Sequence, residues 1–169
     1  MSKFFLKIQK NFEFSLKNYD ILSKSRYWHK SIEKKKKLFN LKNLNNFRSN
    51  PLSENIDDFY LNKKQLYNLF KDLNLLCGIK FTEKFLISRN IGKAKKIIKI
   101  KNKFITASDL FHIKYIHELN EKIDFKKINT ICEIGQGFAL LASKLLMIKN
   151  FKIILIDLPE SNYISSFFI

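Results

Sequence analysis

Cysteine is scarce in this 169-residue chain, and its two copies lie far apart. Cys77 and Cys132 both stand among apolar residues, which predicts reduced core cysteines of a cytoplasmic protein rather than a disulfide framework. Long hydrophobic runs are lacking too, since no stretch reaches the roughly 18 uninterrupted apolar residues of a membrane-spanning helix. Polar residues also interrupt the opening sequence MSKFFLKIQKNFEF too often for a signal peptide. At most, we expect a loose association with a membrane surface.

Glycine and proline number only 4 and 2, and arginine occurs only at Arg26, Arg48 and Arg89, so nearly all positive charge is lysine. The 32 Lys+Arg against 15 Asp+Glu give a net charge of +17. Such a surface attracts anions, including nucleic acid, acidic membranes and phosphorylated sugars. The alternative is lysine spread over solvated faces, as an AT-rich coding sequence would produce, and the four-lysine run at residues 34–37 fits a solvated helix face. We favour this alternative and expect no specific nucleic-acid partner, because lysine lacks the planar fork of arginine.

Residues 1–124 predict a mainly helical region. Apolar residues recur every three or four positions over residues 3–45, and again over residues 61–76, where Gly78 is placed to end the helix. The stretch between them, residues 46–58, is rich in Ser, Asn and Asp and predicts a loop.

Two further elements are predicted before the sequence changes character. The stretch KIIKIKNKFIT, residues 96–106, alternates apolar and basic groups about Lys101 and Asn102, which predicts a small hairpin. Thr106 or Ser108 is suited to cap a following helix. The apolar side of that helix would carry Leu110, Ile113, Ile116 and Leu119.

Residues 125–169 predict an α/β segment. INTICEI and KIILID are short runs rich in β-branched residues, typical of strands that are buried on both faces of a parallel sheet. Between them, GQGF predicts a turn and ALLASKLLMIK a helix. Strand, glycine turn, helix and strand form a βαβ unit, for which a right-handed crossover is expected.

The motif EIGQG ends the first of these strands, and an acid ends the second. Gly135 and Gly137 allow a sharp turn and bring bare backbone amides close to a ligand, while the positive end of the next helix points into that turn. Asp157 follows Gly137 by 20 residues (157 − 137), near the offset at which an acid binds ribose hydroxyls. The pattern predicts a site for a cofactor that contains adenosine.

Two details favour S-adenosylmethionine over a dinucleotide. A dinucleotide site needs a third glycine or an alanine so that pyrophosphate can lie on the helix start, but this chain has the bulky Leu140 there. Glu133, directly before the turn, would repel pyrophosphate, and it suits a cofactor with a positively charged amino-acid end.

At these residues the chain resembles the class I methyltransferases, whose first motif is acid-x-Gly-x-Gly and whose second strand ends in an acid. More narrowly, ICEIGQGFALLASKLL followed by IILIDLPE is similar to a family of sugar O-methyltransferases. YWHKSI, NFRSNPLS and SDLFHIKYIHEL resemble the N-terminal region of the same family. The resemblance implies a helical region leading into the first βαβ unit of a Rossmann-like core, and methyl transfer to a hydroxyl of a sugar or glycan precursor.

The resemblance also implies that the first-motif acid and glycines hold the methionine part of the cofactor and that the second-strand acid binds its ribose. Ala139 stands where many relatives have a third glycine. The implied site residues are Glu133, Gly135, Gln136, Gly137, Asp157 and Leu158. No catalytic base is assigned.

A class I core needs more strands than the 42 residues from Ile128 onward can form (169 − 128 + 1). The free edge of the first strand leaves three explanations: the N-terminal helices cover it, a partner chain completes the sheet, or the chain is a truncated fragment. We favour the fragment. The rival functions are an inert binding or interaction fragment, a basic nucleic-acid-binding protein and, disfavoured by Leu140, an NAD-dependent sugar-modifying enzyme.

The remaining candidates receive structural interpretations. His112 and His117 are five residues apart and so do not share a helix face as a metal pair would, and no metal site is expected. Tyr115 is expected in the core and His29 beside Trp28 in helix packing. Asp57 and Asp58 are interpreted as a helix cap.

Overall fold

The structure, a computed structural model, describes residues 3–18, 41–50 and 61–169. Its N-terminal part is helical, with α1 at Lys3–Asn18, α2 at Leu41–Leu44, α3 at Lys63–Cys77 and α4 at Ile79–Lys84. The predictions for Trp28, His29, residues 34–37, Asp57 and Asp58 lie outside the described residues.

The remaining elements mix helices with two small sheets. They are β1 at Ile98–Ile100, β2 at Lys103–Ile105, α5 at Ala107–Lys122, β3 at Thr130–Ile134, α6 at Leu140–Leu145, β4 at Lys152–Ile156 and α7 at Pro159–Phe168. The predicted α/β class is confirmed. Among the described helices, none has both the length and the apolar character needed to cross a bilayer.

The helix predicted over residues 61–76 is confirmed as α3. Asn62 caps its first turn and exchanges hydrogen bonds with Gln65, an arrangement that satisfies otherwise unpaired N–H groups. Gly78 ends the helix with φ 84°, as its place in the sequence predicted. The expected apolar side is buried at Leu66, Phe70 and Leu73, but Leu76 is exposed.

The hairpin and the helix after it are also confirmed. β1 and β2 pair antiparallel, and Lys101 in the turn between them has a left-handed φ of 53°. Thr106 caps α5: its hydroxyl accepts from the Asp109 amide, and the Asp109 carboxylate accepts from the Thr106 amide. The apolar side of α5 is buried at Leu110, Ile113 and Ile116 and half-buried at Leu119.

The predicted βαβ unit is present. β3 and β4 pair parallel, with Thr130 opposite Lys152 and Ile134 opposite Ile156, and α6 lies between them in the chain. The helix is shorter than ALLASKLLMIK, since it ends at Leu145 and continues as turns.

The prediction that these strands are buried on both faces was wrong. Ile131 and Ile153 pack against the core, but the alternate side chains form an exposed outer face, defined by Cys132, Ile134, Ile154 and Ile156. Because successive side chains of a strand point to opposite faces, one covering layer buries only half of them. The placement of Cys132 in a core was therefore also wrong, whereas Cys77 is half-buried.

Two hydrophobic cores hold the described elements together. The first core joins α3, α4, the hairpin, α5, α6 and the inner face of the sheet, and includes Leu66, Phe70, Phe85, Leu110, Ile113, Leu145 and Phe151. The second core joins α1, α2, the glycine turn and α7, and includes Phe12, Leu44, Phe47, Phe138, Leu140, Tyr163 and Phe168. Each core combines residues from before and after position 124.

Candidate functional site

The turn after β3 lies where both parallel strands end. Glu133 is opposite Leu155 in the ladder, and the Gly135 amide donates to the Ile156 carbonyl at 2.8 Å, which extends the strand pairing into the turn. Asp157 follows Ile156 directly. The two predicted acids therefore flank one turn, because the carboxyl ends of parallel strands meet at the same edge of a sheet.

Along this turn, residues with left-handed backbone conformation alternate with residues of ordinary conformation. Gly135, Gly137 and Ala139 have φ values of 72°, 58° and 62°, while the residues between them do not have positive φ. Such alternation makes a concave backbone nest whose amides suit an anion. A Cβ on Gly135 or Gly137 would meet nothing within 4 Å, so glycine is favoured there by conformation rather than by lack of space.

The Asp157 carboxylate binds one amide of this nest, that of Gly137. Its Oδ2 accepts from the Gly137 amide at 2.8 Å and its Oδ1 from the Leu158 amide at 2.7 Å. The expectation of bare amides was thus wrong, because Gly135 donates to Ile156 and Ala139 donates to the Gln136 carbonyl at 2.8 Å. Each carboxylate oxygen of Asp157 retains a further lone pair that a hydroxyl could use.

Glu133 lies on the inner face of β3, half-buried beneath the start of α6. Its Oε2 accepts from the Ala142 amide at 3.1 Å and so satisfies one of the N–H groups that a helix start leaves unpaired. Burial raises the pKa of Glu133 to about 7; the Ala142 hydrogen bond opposes this rise and the nearby Asp157 charge adds to it. A cation placed beside Glu133 would restore its charged form.

Gln136 and Leu158 form hydrogen bonds that hold Asp157 in place. The Gln136 amide is buried and donates to Asn162 Oδ1 at 2.6 Å, and Asn162 in turn donates to the Asp157 carbonyl at 3.0 Å. Leu158 binds Asp157 through its backbone alone. Sequence reasoning missed Asn162, whose only signal is its place in the first turn of the helix after Asp157.

A buried polar network on the other side of α6 was also missed. Lys144 and Asp109 are fully buried and form an ion pair of 2.7 Å, and Lys144 also donates to the Phe85 carbonyl at 2.9 Å. The neighbouring cation Lys144 and the hydrogen bonds to Asp109 outweigh the opposing effect of burial and lower the pKa of that carboxyl. Of this network, the sequence indicated only that Thr106 could cap α5.

The structure places the other candidates outside this site. His112 contacts the Ser108 carbonyl at 2.6 Å, and His117 lies 3.5 Å from Glu121. Tyr115 is 48% exposed, so its predicted core role was wrong: it lies on the outer side of α5. Within residues 3–18, 41–50 and 61–169, no group of three His, Cys, Asp or Glu residues could hold a metal ion.

The described residues also form clefts away from the turn. One of about 560 Å³ is lined by the 89–93 loop together with Asn45, Phe167 and Phe168. None of the described residues that line this cleft carries a carboxylate, so the converging carboxylates at the glycine turn identify the candidate site instead.

Comparison with known proteins gives no relative: no protein-family model, curated protein or solved structure matches this chain.

Proposed function

We propose that the turn between β3 and α6 binds S-adenosylmethionine, and that the chain is a Rossmann-like sugar O-methyltransferase or a fragment of one. One observation carries this proposal: Asp157 and Glu133 both lie at the glycine turn, and Asp157 is hydrogen-bonded to the Gly137 amide. The sequence motif predicted that both acids would flank this turn, which is the placement expected for an adenosine-containing ligand.

The charge of the site supports a cationic cofactor. The carboxylates of Asp157 and Glu133 already occupy the amides of Gly137 and Ala142, where a dinucleotide would need to bring its pyrophosphate. Leu140 is buried at the position where the dinucleotide motif has a small residue for close helix–strand packing. Ammonium and sulfonium groups are attracted by the same carboxylates.

Each site residue then has a defined role. Asp157 accepts hydrogen bonds from the ribose hydroxyls, Glu133 faces the positively charged amino-acid end, and the exposed glycines leave room for the ligand. When bound, the cofactor supplies an electrophilic methyl group for in-line transfer to a hydroxyl. The sugar acceptor rests on the resemblance of the two motif segments, and the catalytic base is unassigned.

Equilibrium dialysis of labelled S-adenosylmethionine against matched variants tests this proposal. Asp157→Asn keeps the shape of the side chain but removes its charge, and we expect about 10- to 100-fold weaker binding, the range for losing a hydrogen bond to a charged group. Glu118→Gln on α5 is the control and should bind as the wild type does. Equal affinity of the Asp157→Asn and wild-type proteins would refute the assigned role of Asp157.

A non-catalytic role in a larger assembly is the second candidate. The outer face favours it, because Ile134, Ile154 and Ile156 are 78%, 43% and 50% exposed, and within the described residues β3 pairs with β4 alone. Methyl transfer by the isolated chain to any member of a panel of sugars and sugar nucleotides would exclude it. Cofactor binding without transfer to any acceptor would favour it.

A further inference from the structure

Phe138 connects the glycine turn to the N-terminal part of the chain. It follows Gly137 directly, is 6% exposed and lies in the second core. Its ring centroid is 5.5 Å from that of Phe47 and 5.1 Å from that of Phe168, and the Arg48 guanidinium carbon lies 5.0 Å from the same ring centroid. The turn is therefore fixed at one end by aromatic and cation–π contacts.

The segment that carries Phe47 and Arg48 is itself closely packed. Phe47 is fully buried, and the Arg48 amide donates to the Gly92 carbonyl at 2.9 Å. A Cβ on Gly92 would lie 2.5 Å from Phe47 Cε1, so the loop approaches this segment more closely than any side chain would allow. Arg48 thus projects from a backbone with little freedom to shift.

The Arg48 side chain also reaches the buried network beside α6. Its Nη2 donates to Thr106 Oγ1 at 3.0 Å, and that hydroxyl donates to Asp109 Oδ2 at 2.7 Å. Asp109 in turn pairs with Lys144 of α6. Arg48 therefore contacts Phe138, which precedes α6, and is connected through Thr106 and Asp109 to Lys144, which lies within α6.

We propose that Arg48 is a positioning residue for the glycine turn, holding Phe138 and α6 so that Gly137, Glu133 and Asp157 keep their mutual geometry. Its planar cation suits both contacts, since it stacks on a ring face while an N–H donates to a hydroxyl. The assignment of a cofactor to this turn rests on the proposed function, whereas the control of the turn by Arg48 does not.

Glycine-selective ¹⁵N labelling tests the positioning directly, because the chain has only four glycines. In Arg48→Met we expect the Gly135 and Gly137 amide resonances to move, and the Gly137 amide, which is bonded to Asp157, to exchange faster with solvent. Leu73→Ala in the first core is the control for general loss of stability. It should leave the Gly135 and Gly137 resonances in place.

Arg48→Lys keeps the charge without the planar group and should give smaller shifts than Arg48→Met. If Arg48→Met does not fold, Arg48→Lys alone tests whether Arg48 positions the glycine turn. The positioning role would be overturned if the folded Arg48 variants matched Leu73→Ala, both in the positions of the Gly135 and Gly137 resonances and in the exchange rate of the Gly137 amide.

Ligand binding separates this inference from the proposed function. We expect Arg48→Met to bind S-adenosylmethionine roughly 2- to 30-fold more weakly than the wild type, the range for residues that act on a site without touching it. Folded wild-type protein that binds no S-adenosylmethionine would defeat the proposed function, while the glycine resonances would still decide the role of Arg48. Wild-type affinity in Arg48→Met together with unmoved Gly135 and Gly137 resonances would overturn the inference.

Discussion

Glu133 and Asp157 each satisfy a backbone amide of the chain and are each placed to meet a ligand. The Asp157 carboxylate accepts from Gly137 and Leu158, and Glu133 accepts from Ala142 at the start of α6. In the absence of a ligand these bonds stabilise a turn with three left-handed residues. A ligand in this site therefore meets carboxylates that are already oriented.

Glu133 should make stability depend on pH. Its pKa rises from 4.5 to about 7 on folding, so its protonated form is favoured in the folded state. This contribution to stability is fully present below about pH 4.5 and is lost as pH rises through about 7. We expect Glu133→Gln to gain stability relative to the wild type between pH 5 and pH 8, measured by urea unfolding.

A histidine acts in the opposite direction over the same interval. Burial lowers the pKa of His112, so its contribution is lost as pH falls through its ordinary value of 6.5. His112 is present in both proteins, so its contribution cancels when the unfolding free energy of wild type is subtracted from that of Glu133→Gln. Glu118→Gln serves as the exposed control. A stability difference between Glu133→Gln and wild type that is constant with pH would contradict the assignment.

The buried Lys144 and Asp109 pair should respond strongly to loss of one partner. Lys144→Met leaves the Asp109 carboxylate buried without its cation, and we expect a cost of about 3–5 kcal/mol in the free energy of unfolding. The double variant Lys144→Met/Asp109→Leu should recover only part of this loss, because it removes the unpaired charge but also the acceptor of the Thr106 amide. Lys114→Met on the exposed side of α5 is the control, expected within about 0.5 kcal/mol of wild type. Equal losses from Lys144→Met and Lys114→Met would contradict the buried pair.

At the scale of elements, the sequence predicted the helices and strands whose positions depend on residues close together in the chain. Gly78 at the end of α3, the capping residue Thr106 before α5, and the three- to four-residue spacing of apolar side chains placed these two helices. β-Branched runs around EIGQG placed β3 and β4 and the turn between them. Each of these signals involves residues within a few positions of one another, so it can be recognised without knowledge of the tertiary structure.

The errors concern which layer covers an element. Tyr115 and Leu76 fit the helical apolar spacing, yet they are 48% and 56% exposed. Cys132 and Ile134 belong to a continuous apolar run, but a run cannot show whether a second layer covers its other side. Lys144 was read as part of an ordinary helix because its partner Asp109 is 35 residues away in sequence.

Neighbouring isoleucines of β4 provide a test of the single covered face. Ile153 packs against the first core, whereas Ile154 is 43% exposed on the outer face. Threonine keeps the preference for strand conformation, so the two substitutions differ mainly in burial. We expect Ile153→Thr to cost about 1 kcal/mol or more, and Ile154→Thr less than about 0.5 kcal/mol, by urea unfolding. Equal costs would indicate that both faces are covered.

At the scale of the whole molecule, the N-terminal region and the βαβ unit share both hydrophobic cores. Phe12 of α1 packs on Tyr163 of α7 with ring centroids 5.0 Å apart, and Leu145 of α6 lies in the first core with residues of α3 and α5. The helical region therefore packs against α6 and α7, the two helices beside the glycine turn. The sequence alone predicted these two regions but not their shared packing.

The net charge of +17 and the acidic turn have opposite implications for ligands. A basic surface attracts anions at long range, while Glu133 and Asp157 favour a cation at the turn itself. The proposed cofactor site therefore depends on the local carboxylates of Glu133 and Asp157 and not on the net charge of the chain.

Calorimetric titration of the folded chain with S-adenosylmethionine, and separately with NAD, tests the central claim most directly. We predict saturable heat with S-adenosylmethionine, abolished or strongly reduced in Asp157→Asn, and none with NAD. Saturable heat with NAD, or no heat with S-adenosylmethionine from protein shown to be folded, would contradict the claim that this turn recognises an adenosyl sulfonium.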